Sequence, residues 1–258
     1  MNDRPRFAAV PAAVLATLCF ALLLPAGAHA QATPSEASAA KPASHPPGAA
    51  IASAHALATD AGLATIRAGG NAFDAAVTVS SVLSVVEPIS SGLGGGGFFL
   101  LHDARTGKDT FLDAREMSPE AATPEVYLDK DGNLDPEKSE NGPWSAGLPG
   151  LPAALVELAS KHGRLPLSRS LALAIRIARE GFPVYARLER GYASKREVME
   201  RYPGTRAVYL ADGDPPKVGE TLRQPELAHT LELLAAKGFD GFYRGETAAK
   251  LVASVNAE

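Results

Sequence analysis

The residues of this chain that could do chemistry gather between positions 90 and 117, in the stretch SSGLGGGGFFLLHDARTGKDTFLDAREM. Gly92, Gly94, Gly95, Gly96 and Gly97 lead into two short apolar runs, and the unit closes on Asp113-Ala114-Arg115-Glu116. Glycine buries nothing and loses much conformational entropy on folding, so a run of them implies an unusual backbone path or a close approach by another group. A guanidinium meets a carboxylate with two charge-assisted hydrogen bonds, which makes Arg115 a candidate for holding an acidic substrate. By itself, an arginine flanked by acids reads more simply as one half of a salt bridge with Asp113 or Glu116.

Other reactive constellations are missing. His45, His55, His102, His162 and His229 are scattered without metal-ligand spacing. There is no G-x-S-x-G elbow, no H-E-x-x-H and no G-x-x-x-x-G-K-[ST] loop. Gly92-x-Gly94-x-x-Gly97 matches a dinucleotide fingerprint in its letters. That motif needs a strand before it and a helix after it, so that phosphate meets a helix N-terminus, and here the order is reversed. Asp129, Asp131, Asn133 and Asp135 alternate as calcium ligands do, but the glycine falls at 132 and the closing glutamate is misplaced, leaving a solvated turn. The residues therefore imply no metal and no cofactor.

The elements that position these residues begin after a leader. Arg4 and Arg6 precede an apolar run over 7–24, and Ala28-His29-Ala30 offers a small-x-small cleavage pattern, so residues 1–30 read as a secretory signal. A membrane anchor is the competing reading on length alone. Pro11, Pro25 and the cleavage pattern argue against a stable anchor and for a periplasmic or secreted protein. Cys19, the only cysteine, would leave with the signal, so neither disulfides nor a thiolate nucleophile are expected. The formal net charge is −4, and such a mildly acidic chain is not built for nucleic acid. Residues 31–50, QATPSEASAAKPASHPPGAA, read as a disordered linker, and 51–258 as one ordered body.

In that body, 51–54 reads as a short strand and Thr59 or Asp60 as the cap of a helix stopping at Gly69-Gly70. Asn71 caps a second helix, apolar on nearly every side, that ends at Pro88 and so belongs between layers. Phe98-Phe99-Leu100-Leu101 and Thr110-Phe111-Leu112 around the turn at Gly107 predict a β-hairpin whose first strand is buried on both faces. A regular pleat puts Phe111, Asp113 and Arg115 on one side. Trp144, a lone aromatic, is expected in the core. Helices follow from Pro152 to Gly163, over 168–180, 187–202, from Pro225 to Lys237 and from Glu246 onward. The charges of 187–202 read as a solvated face.

Several motifs then point one way. Gly69-Gly70-Asn71-Ala72-Phe73-Asp74-Ala75-Ala76, Gly92-Leu93-Gly94-Gly95-Gly96-Gly97-Phe98 and Asp113-Ala114-Arg115-Glu116-Met117-Ser118-Pro119 closely resemble the γ-glutamyltransferases, also called γ-glutamyltranspeptidases or glutathione hydrolases. Gly147-Leu148-Pro149-Gly150, His162-Gly163-Arg164-Leu165-Pro166, Ala178-Arg179-Glu180-Gly181-Phe182 and Gly238-Phe239-Asp240-Gly241-Phe242-Tyr243-Arg244-Gly245 match in the same order. The resemblance implies an α/β (α+β) N-terminal nucleophile hydrolase with a four-layer αββα sandwich, incomplete here and helix-rich in its C-terminal part. It implies a precursor that cleaves itself into two subunits, with 51–258 as the N-terminal part of the large one and the small subunit as its partner.

Glutathione and other γ-glutamyl compounds are the implied substrates, opened through an acyl-enzyme that passes to water or an amino acid. The nucleophile of the family is the threonine that starts the small subunit, and it lies outside this chain. No catalytic residue is therefore assigned here; Arg115 matches the residue that binds the α-carboxylate of the γ-glutamyl group. The alternatives are a stand-alone binding or structural protein, and an acylase of the same fold acting on another amide.

Overall fold

The computed structural model describes residues 48–210 and 213–257. The signal reading of 1–30 and nearly all of the linker reading of 31–50 lie outside the described residues.

The chain enters order through an irregular stretch rather than the strand expected at 51–54, and helix α1 spans Ala56–Arg67. Its cap is His55, not Thr59 or Asp60: the ring Nδ1 accepts from the Leu57 N–H at 3.1 Å. Ser53 Oγ is hydrogen-bonded to Thr59 Oγ1 at 2.8 Å, so Thr59 is engaged one turn inside the helix. Gly69, with φ +94°, reverses the chain where a side chain would be strained.

Helix α2, Ala72–Val86, begins with the expected Asn71 cap. Asn71 Oδ1 accepts from the N–H groups of Phe73 and Asp74, and Asp74 Oδ2 accepts from the Asn71 N–H, closing a capping box. Ala75, Val77, Val82, Val85 and Val86 are buried on α2 together with Thr78, Ser81 and Ser84. The hydroxyls are satisfied inside the helix body: Thr78 Oγ1 donates to the Ser170 carbonyl, and Ser81 and Ser84 donate back to their own turns. A helix buried around most of its girth must be wrapped, and α1 packs on one side of it while α4 and α5, defined below, pack on others.

After Pro88 and the glycine run come β1, Gly97–Asp103, and β2, Lys108–Ala114, an antiparallel hairpin in the register Phe99↔Leu112, Leu100↔Phe111 and Phe98↔Asp113. Gly107, at φ +67°, makes the turn. The expectation of burial on both faces is corrected. Leu101 and Ala114 face the helices, but Phe98, Leu100 and Phe111 are 56%, 79% and 62% exposed. Only two strands pair in this sheet among the described residues, with helices behind one face, so the alternate side chains have nothing over them.

Beyond Ser118-Pro119 the chain forms a solvated excursion. Asp129 Oδ1 accepts from the N–H groups of Asp131 and Asn133, so the would-be calcium ligand folds its own turn. A short α3, Pro136–Glu140, follows, and Trp144 sits in a single 3₁₀ turn, Pro143–Ser145, 36% exposed rather than in the core. The remaining elements are α4 (Leu151–Lys161), α5 (Leu167–Glu180), β3 (Phe182–Pro183), α6 (Ala186–Arg201), α7 (Pro203–Tyr209), β4 (Thr221–Leu222), α8 (Pro225–Lys237), α9 (Phe239–Tyr243) and α10 (Gly245–Asn256). Strands β3 and β4 form a two-residue ladder that ties α5 to α8.

One apolar core runs through α1, α2, α4, α5, α6 and α8, with Leu155, Leu158, Leu171, Leu188, Leu231, Leu234 and Phe182 fully enclosed. The result is a helix-rich α/β body backing a single hairpin among the described residues. No helix among the described residues is long and apolar enough to cross a membrane.

Candidate functional site

Arg115 follows the last residue of β2, on the uncovered side of the hairpin. The Asp113 carboxylate accepts the Arg115 backbone N–H at 2.9 Å, an Asx turn that swings the chain off the strand axis. Arg115 Nε then donates to Glu116 Oε2 at 2.9 Å. The simpler sequence reading is thus present: a salt bridge exists, and it is to Glu116. It engages only one edge of the guanidinium. Among the described residues neither Nη is bonded, and the side chain is 67% exposed. Glu116 is held well below the usual carboxylate range, first by a hydrogen bond from its own backbone N–H and then by Arg115 and the Gly96 N–H, with slight burial opposing.

The backbone around this pair is built from glycines. None of Gly92, Gly94, Gly95, Gly96 and Gly97 has a positive φ, so the run is not there for an unusual turn. Close approach accounts for Gly95 and Gly96. A Cβ on Gly96 would lie 2.8 Å from the Glu116 nitrogen and 3.0 Å from the Arg115 carbonyl carbon. The group whose approach Gly95 and Gly96 permit is the arginine segment itself, while Gly94 and Gly97 face open space.

The other motifs serve as braces. Asp74, fully buried, accepts from the N–H groups of Arg164 (3.1 and 2.9 Å) and Leu165 (3.2 Å), while Asn71 Nδ2 donates to the His162 carbonyl at 2.7 Å. The G-N-A-F-D and H-G-R-L-P motifs, about ninety residues apart by these bonds, are one joint. Tyr243 Oη donates to the Pro149 carbonyl at 2.7 Å and accepts from the Ala153 N–H at 3.2 Å, pinning G-F-Y to G-L-P-G.

Glu87, 3% exposed in its side chain, accepts from Tyr185 Oη at 2.5 Å and from Arg187 at 2.6 Å, and Arg187 also donates to Ser90. Arg187 therefore braces the entrance to the glycine run while its side chain stays exposed, as the solvated-face reading expects. Burial and the neighbouring carboxylate push the Tyr185 phenol up, so it remains a donor. Composition carried one hint of this: Glu87 is the only charged residue between Asp74 and Asp103.

Arg115 is thus the one residue assigned to substrate from the sequence, and its fork stands open. His102 pairs with Asp109 at the surface (2.7 Å) and His229 with Glu246 (3.4 Å), while His55 caps α1 and His162 caps α4, so the described histidines are dispersed and structural. No cluster among the described residues could hold a metal ion. A cavity of about 900 Å³ lies between Ser91-Gly92-Leu93-Gly94 and the segment from Pro215 to Leu227, and Arg115 does not line it.

A helix-rich body backing one hairpin, with Arg115 and Glu116 paired at the hairpin's end, is part of an α/β fold. The chain belongs to the Gamma-glutamyltranspeptidase family, whose profile matches residues 58–258. It is 39% identical over 203 residues to the glutathione hydrolase proenzyme of Bacillus subtilis subsp. natto, a match covering 78% of this chain and 34% of that protein. The γ-glutamyltranspeptidase structure of Helicobacter pylori superposes with a TM-score of 0.78 at 33% identity, covering 82% of this chain and 62% of that one. A cephalosporin acylase structure from Bacillus halodurans follows the same path, with a TM-score of 0.71, 32% identity, and 82% and 42% covered. The chain spans about a third of the length of the curated relatives it matches.

Proposed function

We propose that residues 51–258 are the N-terminal part of the large subunit of a periplasmic or secreted γ-glutamyltransferase. Residues 1–30 serve as its export signal and 31–50 as a linker. The observation that carries the proposal is the open guanidinium of Arg115, pinned along one edge by Glu116 with both Nη atoms unbonded among the described residues. A planar fork fixed in this way accepts a planar carboxylate through two parallel hydrogen bonds. In this reading the carboxylate is the α-carboxylate of a γ-glutamyl group. The amide to be broken then lies at the other end of the glutamyl chain, away from Arg115.

The attack comes from a threonine freed by self-cleavage, in a part of the precursor distinct from residues 51–258. Its hydroxyl attacks the γ-carbonyl carbon, its amine takes the proton, and the amine of the leaving group departs with a proton. The resulting ester is opened by water or by an amino acid. Arg115 contributes binding and orientation. Glutathione and other γ-glutamyl compounds are the substrates, and the small subunit of the same precursor is the partner.

The uncovered hairpin supports a partner. Phe98 and Phe111 stack at 5.6 Å between ring centroids beside Leu100, all more than half exposed, on a face next to Arg115. A continuous apolar face on a two-stranded sheet is an interface waiting for its second half rather than a finished surface. This argues against a stand-alone structural protein.

The acylase reading keeps the fold and changes the substrate, and it is favoured only by the likeness to the cephalosporin acylase. A paired assay of the complete self-processed protein separates the two. With a γ-glutamyl amide and the matching 4-aminobutyryl amide, which lacks only the α-carboxylate, a γ-glutamyltransferase prefers the first by about 30-fold or more in kcat/KM, the effect of losing about 2–5 kcal/mol from a charge pair. Equal rates would contradict the assignment.

A further inference from the structure

We infer that Gly147 and Gly150 are positioning residues for the substrate carboxylate, acting through Glu116 and the backbone of Ala114 and Arg115. The inference rests on Arg115 being the carboxylate fork.

Three backbone segments converge on Arg115: the glycine run, the end of β2, and the turn that leads into α4. The turn lies against the same arginine segment that Gly96 approaches. A Cβ on Gly147 would lie 2.7 Å from the Glu116 Cβ and 3.2 Å from the Met117 carbonyl oxygen. One on Gly150 would lie 2.7 Å from the Ala114 carbonyl carbon and 2.9 Å from the Arg115 oxygen. Neither glycine has a positive φ, so the backbone there suits any residue, and only the space forbids a side chain.

The turn is also tied in place. The N–H groups of Gly150 and Leu151 both donate to the Gly95 carbonyl at 3.0 Å, and Met117 and Leu148 exchange two backbone bonds at 3.3 and 2.7 Å. Tyr243 holds Pro149 from behind. The arginine segment is therefore clamped by close backbone at Gly96, Gly147 and Gly150.

Glu116 is the link from clamp to chemistry. Its carboxylate holds Arg115 Nε, so the direction of the two Nη atoms follows the position of Glu116. A methyl group on Gly147 meets the Glu116 Cβ below contact distance, and because side-chain rotation does not move a Cβ, the backbone at Glu116 must shift and carry its carboxylate with it. Bidentate recognition tolerates little misplacement, and displacements near 1 Å can cost on the order of 100-fold. A brace that only stabilised the fold would lower the amount of active protein and leave KM alone.

The test uses the complete self-processed protein and compares Gly147→Ala, Tyr243→Phe and Arg115→Ala. Tyr243→Phe loosens the same turn without adding an atom, which covers the case in which Gly147→Ala does not fold. For Gly147→Ala the expected result is a KM for a γ-glutamyl amide raised about tenfold, a kcat within about twofold, and an unchanged KM for the 4-aminobutyryl analogue. Tyr243→Phe should move KM in the same direction by less. If Arg115→Ala raises KM while Gly147→Ala and Tyr243→Phe leave it unchanged, or lower only kcat, the clamp is overturned and the Arg115 reading stands. If Arg115→Ala itself leaves KM unchanged, both fall together.

Discussion

Asp74 and Arg115 both lie in motifs dense with functional-looking residues, and the structure sets them to opposite tasks. Asp74 is fully buried at the start of α2, with its carboxylate used up on backbone N–H groups from two segments. Arg115 stands at the edge of an uncovered hairpin with most of its donors unspent. A charged group whose partners are all internal is a joint, whereas one pinned along a single edge keeps donors for a ligand, the role proposed for Arg115. The difference lies in how many donors or acceptors remain after folding, and residue type alone does not reveal it.

The contrast can be broken at either end. The largest effect is expected for Asp74→Ala, which strands the N–H groups of Asn71, Arg164 and Leu165 inside the protein and should cost about 3–5 kcal/mol of stability. Urea unfolding measures it, and a loss under 1 kcal/mol would show that Asp74 is no joint. On the open side, Leu100→Asp should leave stability within about 0.5 kcal/mol, because the side chain is 79% exposed. The same change should weaken association with the rest of the precursor by about 2 kcal/mol or more, since a carboxylate must then be desolvated. The fraction of precursor that processes itself reads this out, and unimpaired processing would mean that nothing docks on this face.

A smaller effect separates the two regions by pH. The His55 imidazole is held below its ordinary value by burial, partly offset by Glu87. Its Nδ1 caps α1 only when unprotonated. The folded form binds the proton more weakly than the unfolded chain, so stability is full above about pH 6.5 and falls as pH drops through the range below it. The loss should be about 1 kcal/mol, the ordinary size of a side-chain cap. His55→Asn, which caps without titrating, should flatten that part of the pH profile of the melting temperature. An unchanged profile would remove His55 as its cause.

Much of the scaffold was legible because its signals are local. Asn71 with Asp74, Gly107 in its turn, Pro152 and Pro225 in first turns, and Gly181 after α5 each act within a few residues. What escaped the sequence depends on distant partners. His55 outcompeted Thr59 as a cap because its ring also packs on Phe182 and Tyr185. Four apolar residues in a row at 98–101 signal burial on both sides only if a second layer is present, and among the described residues none covers the outer face. Glu87 and Arg187 meet across a hundred positions, so no pattern reveals them.

The candidate site divides the same way. Arg115 was singled out through its motif and the chemistry of its side chain. For the surrounding glycines the sequence left two readings open, an unusual backbone path or a close approach, since glycines recruited for space and glycines recruited for positive φ are identical letters.

The most direct measurement of the central claim is the effect of Arg115→Ala on the complete self-processed protein, read as KM for a γ-glutamyl amide beside the melting temperature. A surface ion pair with Glu116 contributes about 0–1 kcal/mol to stability, so melting should move little. Binding should weaken by about 2–5 kcal/mol, a rise in KM of about 30-fold or more. Unchanged KM and kcat, or a large fall in melting temperature with KM intact, would make Arg115 a structural residue and contradict the account.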